Sequence, residues 1–332
     1  MADYFANRRV LITGGLGFIG SNLAIELVRR GARVTLLDSM IPDYGATVEN
    51  VRSVIKHVIV NFSDIRDLHS LPYVVRDQEV IFCLAGQVSH IESMQNPLVD
   101  LDINCRSQLS LLECCRRVNP QARLVFAGTR QVYGKSKSLP VTESHPLEPT
   151  DINGVNKLAA EMYFRLYAEV YGMSTICLRL TNTYGPRMDL NNRKKGFVGV
   201  FIQQALRGER IRLFGDGLQR RDFNYIDDVV RALMLAAESV ASRGESFNIG
   251  HFENHSLLEF LGLLTKHCEI EFENEPFPPE LKSIDIGDYH ADFTRFRQLT
   301  DWIPQIGLDE GLERTIKFYR QAAQLREQEK CN

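Results

Sequence analysis

Three glycines near the N-terminus have the spacing of a turn that binds a phosphate group. Gly14, Gly17 and Gly20 follow an apolar run at 10–12, which predicts a buried parallel strand, and precede residues 21–28, whose apolar spacing is helical. The amides of a first helical turn have no partner within the helix, and the helix dipole favours negative charge there. The pattern therefore predicts a dinucleotide site rather than a turn that merely packs a helix on a strand.

An acidic residue after the next strand indicates which dinucleotide would bind. Residues 33–37 predict a second strand, and Asp38 follows it about twenty positions beyond the glycines. A carboxylate at this point accepts hydrogen bonds from a ribose diol and repels a 2′-phosphate. We therefore expect the cofactor to be NAD rather than NADP.

The composition is ordinary for a globular protein and argues against several kinds of partner. The 332 residues are 44% apolar and 24% charged, and a net charge of −3 gives no basic surface for nucleic acid or an anionic membrane. No apolar run is long enough to span a bilayer, and the first residues lack a signal-peptide pattern. Seven cysteines are scattered without metal-ligand spacing. We expect a cytoplasmic protein with no metal site, no nucleic-acid partner and no membrane association.

Strands and helices alternate along the first half of the chain. Further strands are predicted by the short apolar runs at 58–60, 80–84, 124–127 and 175–180. Helical patterns occupy residues 98–118 and 155–171. This alternation predicts an α/β fold in which residues 1–180 form a doubly wound parallel (Rossmann) sheet, with ligands at the carboxyl ends of its strands.

The alternation ends near residue 185, where Gly185 and Pro186 interrupt it. Helices are predicted near 198–207, 227–239, 256–267 and 308–324. We expect residues 181–332 to form a smaller mixed α/β lobe that closes a cleft over the sheet edge. Some crossing of the chain between the two lobes is also expected.

Several sequence blocks, in matching order, resemble those of one enzyme family. The blocks lie at residues 13–20, 132–134, 178–187, 215–223 and 247–250. They resemble the extended short-chain dehydrogenases/reductases that act on nucleotide sugars, the NAD-dependent epimerases and dehydratases similar to UDP-glucose 4-epimerase. The resemblance runs from about residue 8 to about residue 325. It implies NAD in the first lobe, a nucleotide sugar in the second, and a homodimer formed through the helices near 98–118 and 155–171.

The resemblance also implies roles for particular residues. Cofactor contacts are implied for Gly14, Gly17, Phe18, Ile19, Gly20, Asp38, Asp64, Ile65, Leu84, Ala85, Gly86, Gln87, Asn104 and Lys157. Substrate contacts are implied for Thr129, Tyr133, Asn182, Arg187, Val198 and Arg221. Asn182 and Arg221 would bind the diphosphate, a role that suits a neutral amide donor and the planar fork of a guanidinium.

The implied catalytic positions depart from the family at one residue. Relatives carry a Ser or Thr after the fifth strand, and on the next helix a Tyr separated by three residues from a Lys. Thr129 and Lys157 occupy the first and last of these positions, but Asn153 stands where the Tyr is expected. An amide has no accessible protonation change and cannot act as a general base.

Three interpretations of Asn153 remain open at this point. Another group could act as the base, either Lys157 beside the cationic nicotinamide or His90 in the segment after the fourth strand, a position that otherwise suits a surface histidine. Asn153 could instead orient a water that relays the proton. In the third interpretation the redox chemistry is lost and the fold only binds its ligands.

The residues after Thr129 narrow the class of reaction. Family dehydratases place Asp-Glu after this Thr, and family decarboxylases place a Glu two residues after it. Here the positions hold Arg130 and Gln131, which cannot accept a proton at neutral pH. We therefore expect an NAD-dependent isomerase that epimerises a nucleotide-activated hexose, most often at C4 in this family, through a transient keto intermediate.

Two further alternatives are carried forward. The chain could be a non-catalytic sensor that binds NAD or a nucleotide sugar, or an atypical dehydratase or decarboxylase. A second departure affects the nucleotide: relatives have an Arg where this chain has Asp285. The sequence therefore identifies neither the base of the nucleotide nor the sugar.

Overall fold

A seven-stranded parallel sheet organises the protein. The computed structural model describes residues 3–42, 44–191, 196–239 and 243–331. The strands are β1 (Arg9–Thr13), β2 (Arg33–Leu37), β3 (Val58–Asn61), β4 (Val80–Cys83), β5 (Arg123–Thr129), β6 (Ser174–Leu180), β7 (Asn182–Tyr184), β8 (Ile211–Phe214), β9 (Arg220–Tyr225), β10 (Glu245–Asn248), β11 (Asn254–Ser256) and β12 (Phe272–Glu275). The large sheet has the order β10-β6-β5-β4-β1-β2-β3 and every pairing in it is parallel, which confirms the predicted Rossmann sheet.

Apolar side chains on both faces of the sheet explain why its strands read as continuous hydrophobic runs. In β1, Val10 and Ile12 belong to the core on one face, while Leu11 belongs to the core on the other. Successive side chains of a strand point to opposite faces, so a sheet covered by helices on both sides needs apolar residues at every position.

Helices cover the sheet and build the second lobe. They are α1 (Phe18–Arg29), α2 (Leu71–Val75), α3 (His90–Gln95), α4 (Pro97–Leu101), α5 (Ser107–Val118), α6 (Ile152–Tyr171), α7 (Phe197–Arg207), α8 (Ile226–Glu238), α9 (Leu257–Leu264), α10 (Pro279–Ile284), α11 (Thr294–Thr300) and α12 (Leu308–Cys331). Short 3-10 helices occupy Val48–His57 and Arg130–Tyr133. Within the described ranges, none of the helices combines the length and apolar character needed to cross a bilayer.

The helix predicted at 98–118 is interrupted by a wider turn. A π turn at Asp102–Arg106 separates α4 from α5, and within it Asn104 is completely buried. Such turns occur frequently at functional sites, because the extra residue redirects a side chain that a regular helix would place elsewhere. Apolar periodicity does not detect this change.

The second lobe also contains two smaller sheets. One has the order β11-β9-β7, with β7 parallel and β11 antiparallel to β9, and the other pairs β12 with β8 in parallel. The chain also returns to the first lobe, since β10 pairs with β6 at the edge of the large sheet. The residues after 181 therefore contribute to both parts of the molecule.

A buried ion pair joins strand β6 to helix α6. The Arg179 guanidinium donates two hydrogen bonds to the Glu161 carboxylate, at 2.9 and 2.5 Å, and both side chains are almost completely buried. Ser246 of β10 donates to the same carboxylate at 2.9 Å. These bonds hold α6 against the sheet in a fixed position, which matters because α6 carries residues of the candidate site.

Removing one partner of this pair should destabilise the fold. We expect Glu161→Gln to lower the free energy of unfolding by about 3 kcal/mol, because it leaves the Arg179 charge buried without its partner. Urea denaturation followed by circular dichroism measures the effect. The double variant Glu161→Leu with Arg179→Met is the control, and it should recover most of the loss. A wild-type stability for Glu161→Gln would contradict the role given to the pair.

Candidate functional site

A cavity of about 520 Å³ opens at the carboxyl ends of the sheet strands, between residues of both lobes. The edge position is the one expected for the ligand of a doubly wound sheet. Most residues singled out in the sequence line this cavity: Gly14, Gly17, Phe18, Ile19, Gly20, Asp38, Asp64, Ile65, Leu84, Ala85, Gly86, Gln87, His90, Thr129, Asn153, Lys157, Asn182, Val198 and Arg221.

Three of the singled-out residues lie away from the cavity wall. Tyr133 is completely buried and donates a hydrogen bond to Asn248 Oδ1 at 2.7 Å. Arg187 donates to Asn22 Oδ1 at 2.9 Å, which ties the start of the second lobe to helix α1. Asn104 takes part in a buried hydrogen-bond network beside the cavity. In this structure the three side chains serve packing and hydrogen bonding within the protein.

The glycine turn has no room for a side chain at Gly14 or Gly20. Gly14 has φ +70°, and a Cβ there would stand 2.9 Å from the backbone of Ala85. A Cβ on Gly20 would stand 2.2 Å from the carbonyl oxygen of Gly14, so helix α1 packs directly on the turn. Gly17 is the N-cap of α1, and the first turn of α1 has no acidic residue. These features fit a pyrophosphate bound at the N-terminus of α1.

Asp38 is fixed at the end of β2 by two backbone amides. Its carboxylate accepts hydrogen bonds from Leu16 N at 3.0 Å and from Met40 N at 2.9 Å. Burial raises the pKa of this carboxyl, the two amides oppose that effect, and the nearby Asp64 adds to it. A carboxylate held in this position suits a ribose diol and disfavours a 2′-phosphate.

Lys157 is a nearly buried cation in the cavity wall. Its Nζ lies 3.4 Å from the carbonyl oxygen of Ala127 and 5.2 Å from the ring centroid of Phe126. Burial lowers the pKa of Lys157 to about 8, against the opposing influence of Asp100. Gly86 makes room for this side chain, since a Cβ at Gly86 would stand 2.8 Å from Nζ. The cavity therefore contains an amine that exchanges protons near neutral pH.

Asn153 is a donor in a buried network centred on Asp100. The Asp100 carboxylate accepts hydrogen bonds from the side-chain amides of Asn104 at 3.0 Å, Asn153 at 3.1 Å and Asn156 at 2.8 Å. The Asn153 amide also donates to the carbonyl oxygen of Gln87 at 2.9 Å. The side-chain nitrogen of Asn153 is therefore engaged in hydrogen bonds within the protein. The role of Asp100 was not predicted from the sequence. A usable signal was the presence of three asparagines in helical segments, where asparagine is unfavourable.

A histidine and an aspartate lie together beside Asn153. His90 Nδ1 is 2.9 Å from Asp151 Oδ2, and the Asp151 side chain is completely buried. Asp151 caps helix α6 by accepting from Gly154 N at 2.6 Å, and Gln131 donates to it at 2.8 Å. Burial opposes ionisation, but the contact with His90 lowers the pKa of the Asp151 carboxyl below its usual range.

This pairing is a feature that the sequence analysis missed. Asp151 is recognisable in the sequence only as a helix N-cap, and the two residues stand sixty-one positions apart. The contact is electrostatic, because His90 Nδ1 has no hydrogen-bond partner among the described residues and lies only within ion-pair distance of the carboxylate. His90 is thus an imidazole in the cavity wall within ion-pair distance of a buried carboxylate, which makes it a candidate acid/base group.

Two arginines occupy the wall nearer the second lobe. Arg221 donates to Asp285 Oδ1 at 3.1 Å, and burial together with Arg130 lowers the pKa of Arg221 to about 10. This contact is an ion pair between the two side chains. Asn182 donates to the carbonyl oxygen of Asp222 at 2.8 Å. Arg130 and Arg221 thus stand in the cavity wall together with Asp285, the ion-pair partner of Arg221.

The chain resembles known proteins over nearly its whole length. Residues 10–250 match the family described as the NAD dependent epimerase/dehydratase family. The UDP-glucose 4-epimerase of Mycolicibacterium smegmatis is 31% identical over 95% of this chain and 100% of its own length. Two similar solved structures contain bound ligands. The UDP-glucose 4-epimerase of Thermotoga maritima with UDP-glucose has 31% identity and a TM-score of 0.86, over 95% of this chain and 99% of that one.

The second structure represents a different reaction. DesIV, a dTDP-glucose 4,6-dehydratase from Streptomyces venezuelae with NAD and TYD bound, has 27% identity and a TM-score of 0.85, over 94% of this chain and 97% of that one. The same architecture thus serves enzymes that isomerise a nucleotide sugar and enzymes that dehydrate one. The residues of the site must distinguish between the two chemistries.

Burial of Lys157 should make the stability of the cofactor-free protein depend on pH. Native Lys157 loses its proton near pH 8, whereas the unfolded chain retains it up to 10.5, so stability should rise with pH across this range. Lys157→Met should be more stable than the wild type by about 3 kcal/mol below pH 8, and the difference should vanish above 10.5. Denaturation at a series of pH values tests this.

The exposed Lys56 supplies the control for that experiment. Lys56→Met should follow the wild-type curve at every pH. A constant offset between Lys157→Met and the wild type would show that the amine is not desolvated in the native protein.

Proposed function

Because the chain belongs to the NAD dependent epimerase/dehydratase family, we propose that it uses NAD to interconvert two C4 epimers of a nucleotide-activated hexose. The observation that carries the proposal is a single cavity bordered by the glycine turn on one side and by Asn182 and Arg221 on the other. A dinucleotide on the first group and a diphosphate on the second would meet with the sugar between them.

The residues after Thr129 favour epimerisation over elimination. A dehydratase needs an acid and a base beside the sugar, in addition to the residues that serve hydride transfer. Arg130 and Gln131 line the cavity at these positions, and neither accepts a proton at neutral pH. Epimerisation needs only that one hydroxyl loses and regains its proton while hydride leaves one face of the carbon and returns to the other.

We propose His90 as the group that carries the hydroxyl proton. Its Nε2 would take the proton from the C4 hydroxyl as hydride leaves C4, and would return it when hydride comes back. Asp151, whose Oδ2 lies 2.9 Å from Nδ1, would stabilise the imidazolium by its negative charge. Asn153 would not be the base, because its amide nitrogen is bound to Asp100 and to the Gln87 carbonyl.

Thr129 and Lys157 would assist this transfer. The Thr129 hydroxyl oxygen already accepts a hydrogen bond from Gln131 N at 3.2 Å, so its hydrogen is available to a sugar oxygen. The Lys157 amine lies beside Gly86, on the cofactor side of the cavity. Bound NAD supplies a reversible hydride acceptor, and a cation at Lys157 would hold its ribose and favour the negative charge that develops on the sugar oxygen.

We also propose the assembly and compartment of the protein. Residues 1–180 would bind NAD, residues 181–332 would bind the nucleotide sugar, and two chains would pair through helix α6 and the neighbouring α4–α5 segment. Helix α6 exposes a stripe of large apolar side chains: Val155, Met162, Leu166 and Val170. Buried free thiols such as Cys83 and Cys177 favour a reducing compartment, the cytoplasm.

The reaction is tested by following the sugar. Incubation of the purified holoenzyme with UDP-glucose, UDP-galactose and their C6-oxidised analogues should give C4 epimers by NMR. In D₂O the product should carry no deuterium at C4, because the same hydride returns. Tightly held NAD without turnover of any of these sugars would instead support a sensor.

Replacement of His90 tests the proposed proton carrier. We expect His90→Gln to lower kcat by about 10²- to 10⁴-fold while NAD content and KM stay near wild type, because an amide cannot exchange the proton. His69→Gln is the control, since His69 is exposed and lies outside the cavity. A wild-type rate for His90→Gln would transfer the role to Lys157.

Acidic substitutions in the exposed apolar stripe of helix α6 test the proposed dimer. The double variant Met162→Glu with Leu166→Asp should be monomeric by light scattering, whereas the wild type should be dimeric, because burial of two carboxylates in an apolar interface is unfavourable. Leu218→Asp, also at an exposed apolar residue but in the second lobe, should remain dimeric. A monomeric wild type would refute the assembly.

A further inference from the structure

Arg130 is a half-buried guanidinium in the wall of the cavity, and none of the described residues forms a hydrogen bond or an ion pair with it. It follows Thr129 directly, and Thr129, Arg130 and Arg221 all line the same cavity. The Arg130 Nε atom is shielded from solvent and has no hydrogen-bond partner among the described residues, nor does any carboxylate within those residues form an ion pair with it. Burial lowers the pKa of this guanidinium.

The surrounding charged groups are already engaged with other atoms. Asp285 accepts a hydrogen bond from Arg221 at 3.1 Å. The buried Asp222 carboxylate accepts from Thr181 at 2.6 Å and from Ala291 N at 3.0 Å.

Two other neighbours of Arg130 offer it no ion pair. Asp151 is bound to Gln131 at 2.8 Å and lies 2.9 Å from His90. The Tyr289 ring lies 5.7 Å from the Arg130 guanidinium carbon, a cation–π contact that accepts no N–H bond in the guanidinium plane.

Arg130 is half-buried, with its Nε shielded from solvent, and a cation that is partly withdrawn from water is stabilised by an anionic partner. Arg130 would gain a partner from a ligand that brings an anionic oxygen pair to its planar fork. Two groups of a nucleotide sugar carry such oxygens, the diphosphate and a carboxylate on the sugar ring. Arg221 and Asn182 already stand at the proposed diphosphate site, whereas Arg130 adjoins Thr129, where the sugar would lie.

We propose that Arg130 binds a carboxylate on the sugar ring, so that the substrate class is a nucleotide-activated uronic acid. This rests on the proposed function, because that function places the sugar beside Thr129. A neutral hexose would leave the Arg130 charge unpaired in the closed site. The site would therefore bind a neutral hexose more weakly for two reasons: the guanidinium stays unpaired, and the hydrogen bonds to a carboxylate are not formed.

Binding measurements separate this proposal from the alternative that Arg130 contacts the diphosphate. Calorimetry with the NAD-loaded protein compares UDP-glucuronic acid, UDP-glucose and UDP, each with wild type and with Arg130→Gln. We expect wild type to bind UDP-glucuronic acid about 10- to 100-fold more tightly than UDP-glucose, and Arg130→Gln to abolish that preference. Its affinity for UDP and UDP-glucose should be unchanged. Arg212→Gln, at an exposed arginine outside the cavity, should behave as wild type.

Other outcomes overturn the proposal in distinguishable ways. An equal loss of affinity for all three ligands in Arg130→Gln would assign the residue to the diphosphate. Absence of a uronic acid preference in wild type, including failure of both sugars to bind, would refute the carboxylate site. A preference without C4 exchange would retain the carboxylate site and refute only the epimerase.

Thermal unfolding of the ligand-free protein gives an independent readout. Arg130→Gln should melt within about 2 °C of wild type, because no described residue forms a hydrogen bond or an ion pair with the half-buried guanidinium. A clear fall in melting temperature would show that Arg130 has a stabilising partner in the protein, and would overturn its assignment to a ligand.

Discussion

The buried carboxylate of Asp100 is the interaction on which the arrangement of the site depends. It accepts hydrogen bonds from the amides of Asn104, Asn153 and Asn156, which join the π turn to the first turns of helix α6. A buried carboxylate requires that its donors stay in place, since each lost bond leaves charge without solvation. Helix α6 is therefore fixed in depth and rotation at the end that carries Lys157.

The identity of residue 153 follows from the same requirement. An amide donates to Asp100 and to the Gln87 carbonyl together, whereas a phenol has one hydrogen to donate. Asp151, the cap of the same helix, binds the first turn of α6 and lies 2.9 Å from His90, the group that we propose for proton transfer. Under that proposal, the residue that holds the helix and the residue that transfers the proton are separate but adjacent.

The elements of the fold were largely predictable, because hydrophobic periodicity reports which positions are buried. The buried strand at 10–12 and the long helix after Asp151 appear close to their predicted positions. Periodicity did not predict the π turn, whose extra residue leaves the apolar pattern on either side intact. It also did not identify β10 as the edge strand of the large sheet, since β10 contains a single apolar residue, Phe247, and its pairing with β6 is a long-range contact.

The sequence by itself determined the dinucleotide turn, the acid at position 38 and the absence of a phenol at 153, because these depend on residue type and on spacing within a short segment. Only the tertiary structure decided the partners of charged groups. It brought His90 to Asp151, gave Asp285 to Arg221, and left Arg130 without a counter-ion among the described residues. The free energy of a buried charge depends mainly on the atoms within a few ångströms of it. Those atoms belong to strands and helices that are far apart in the sequence.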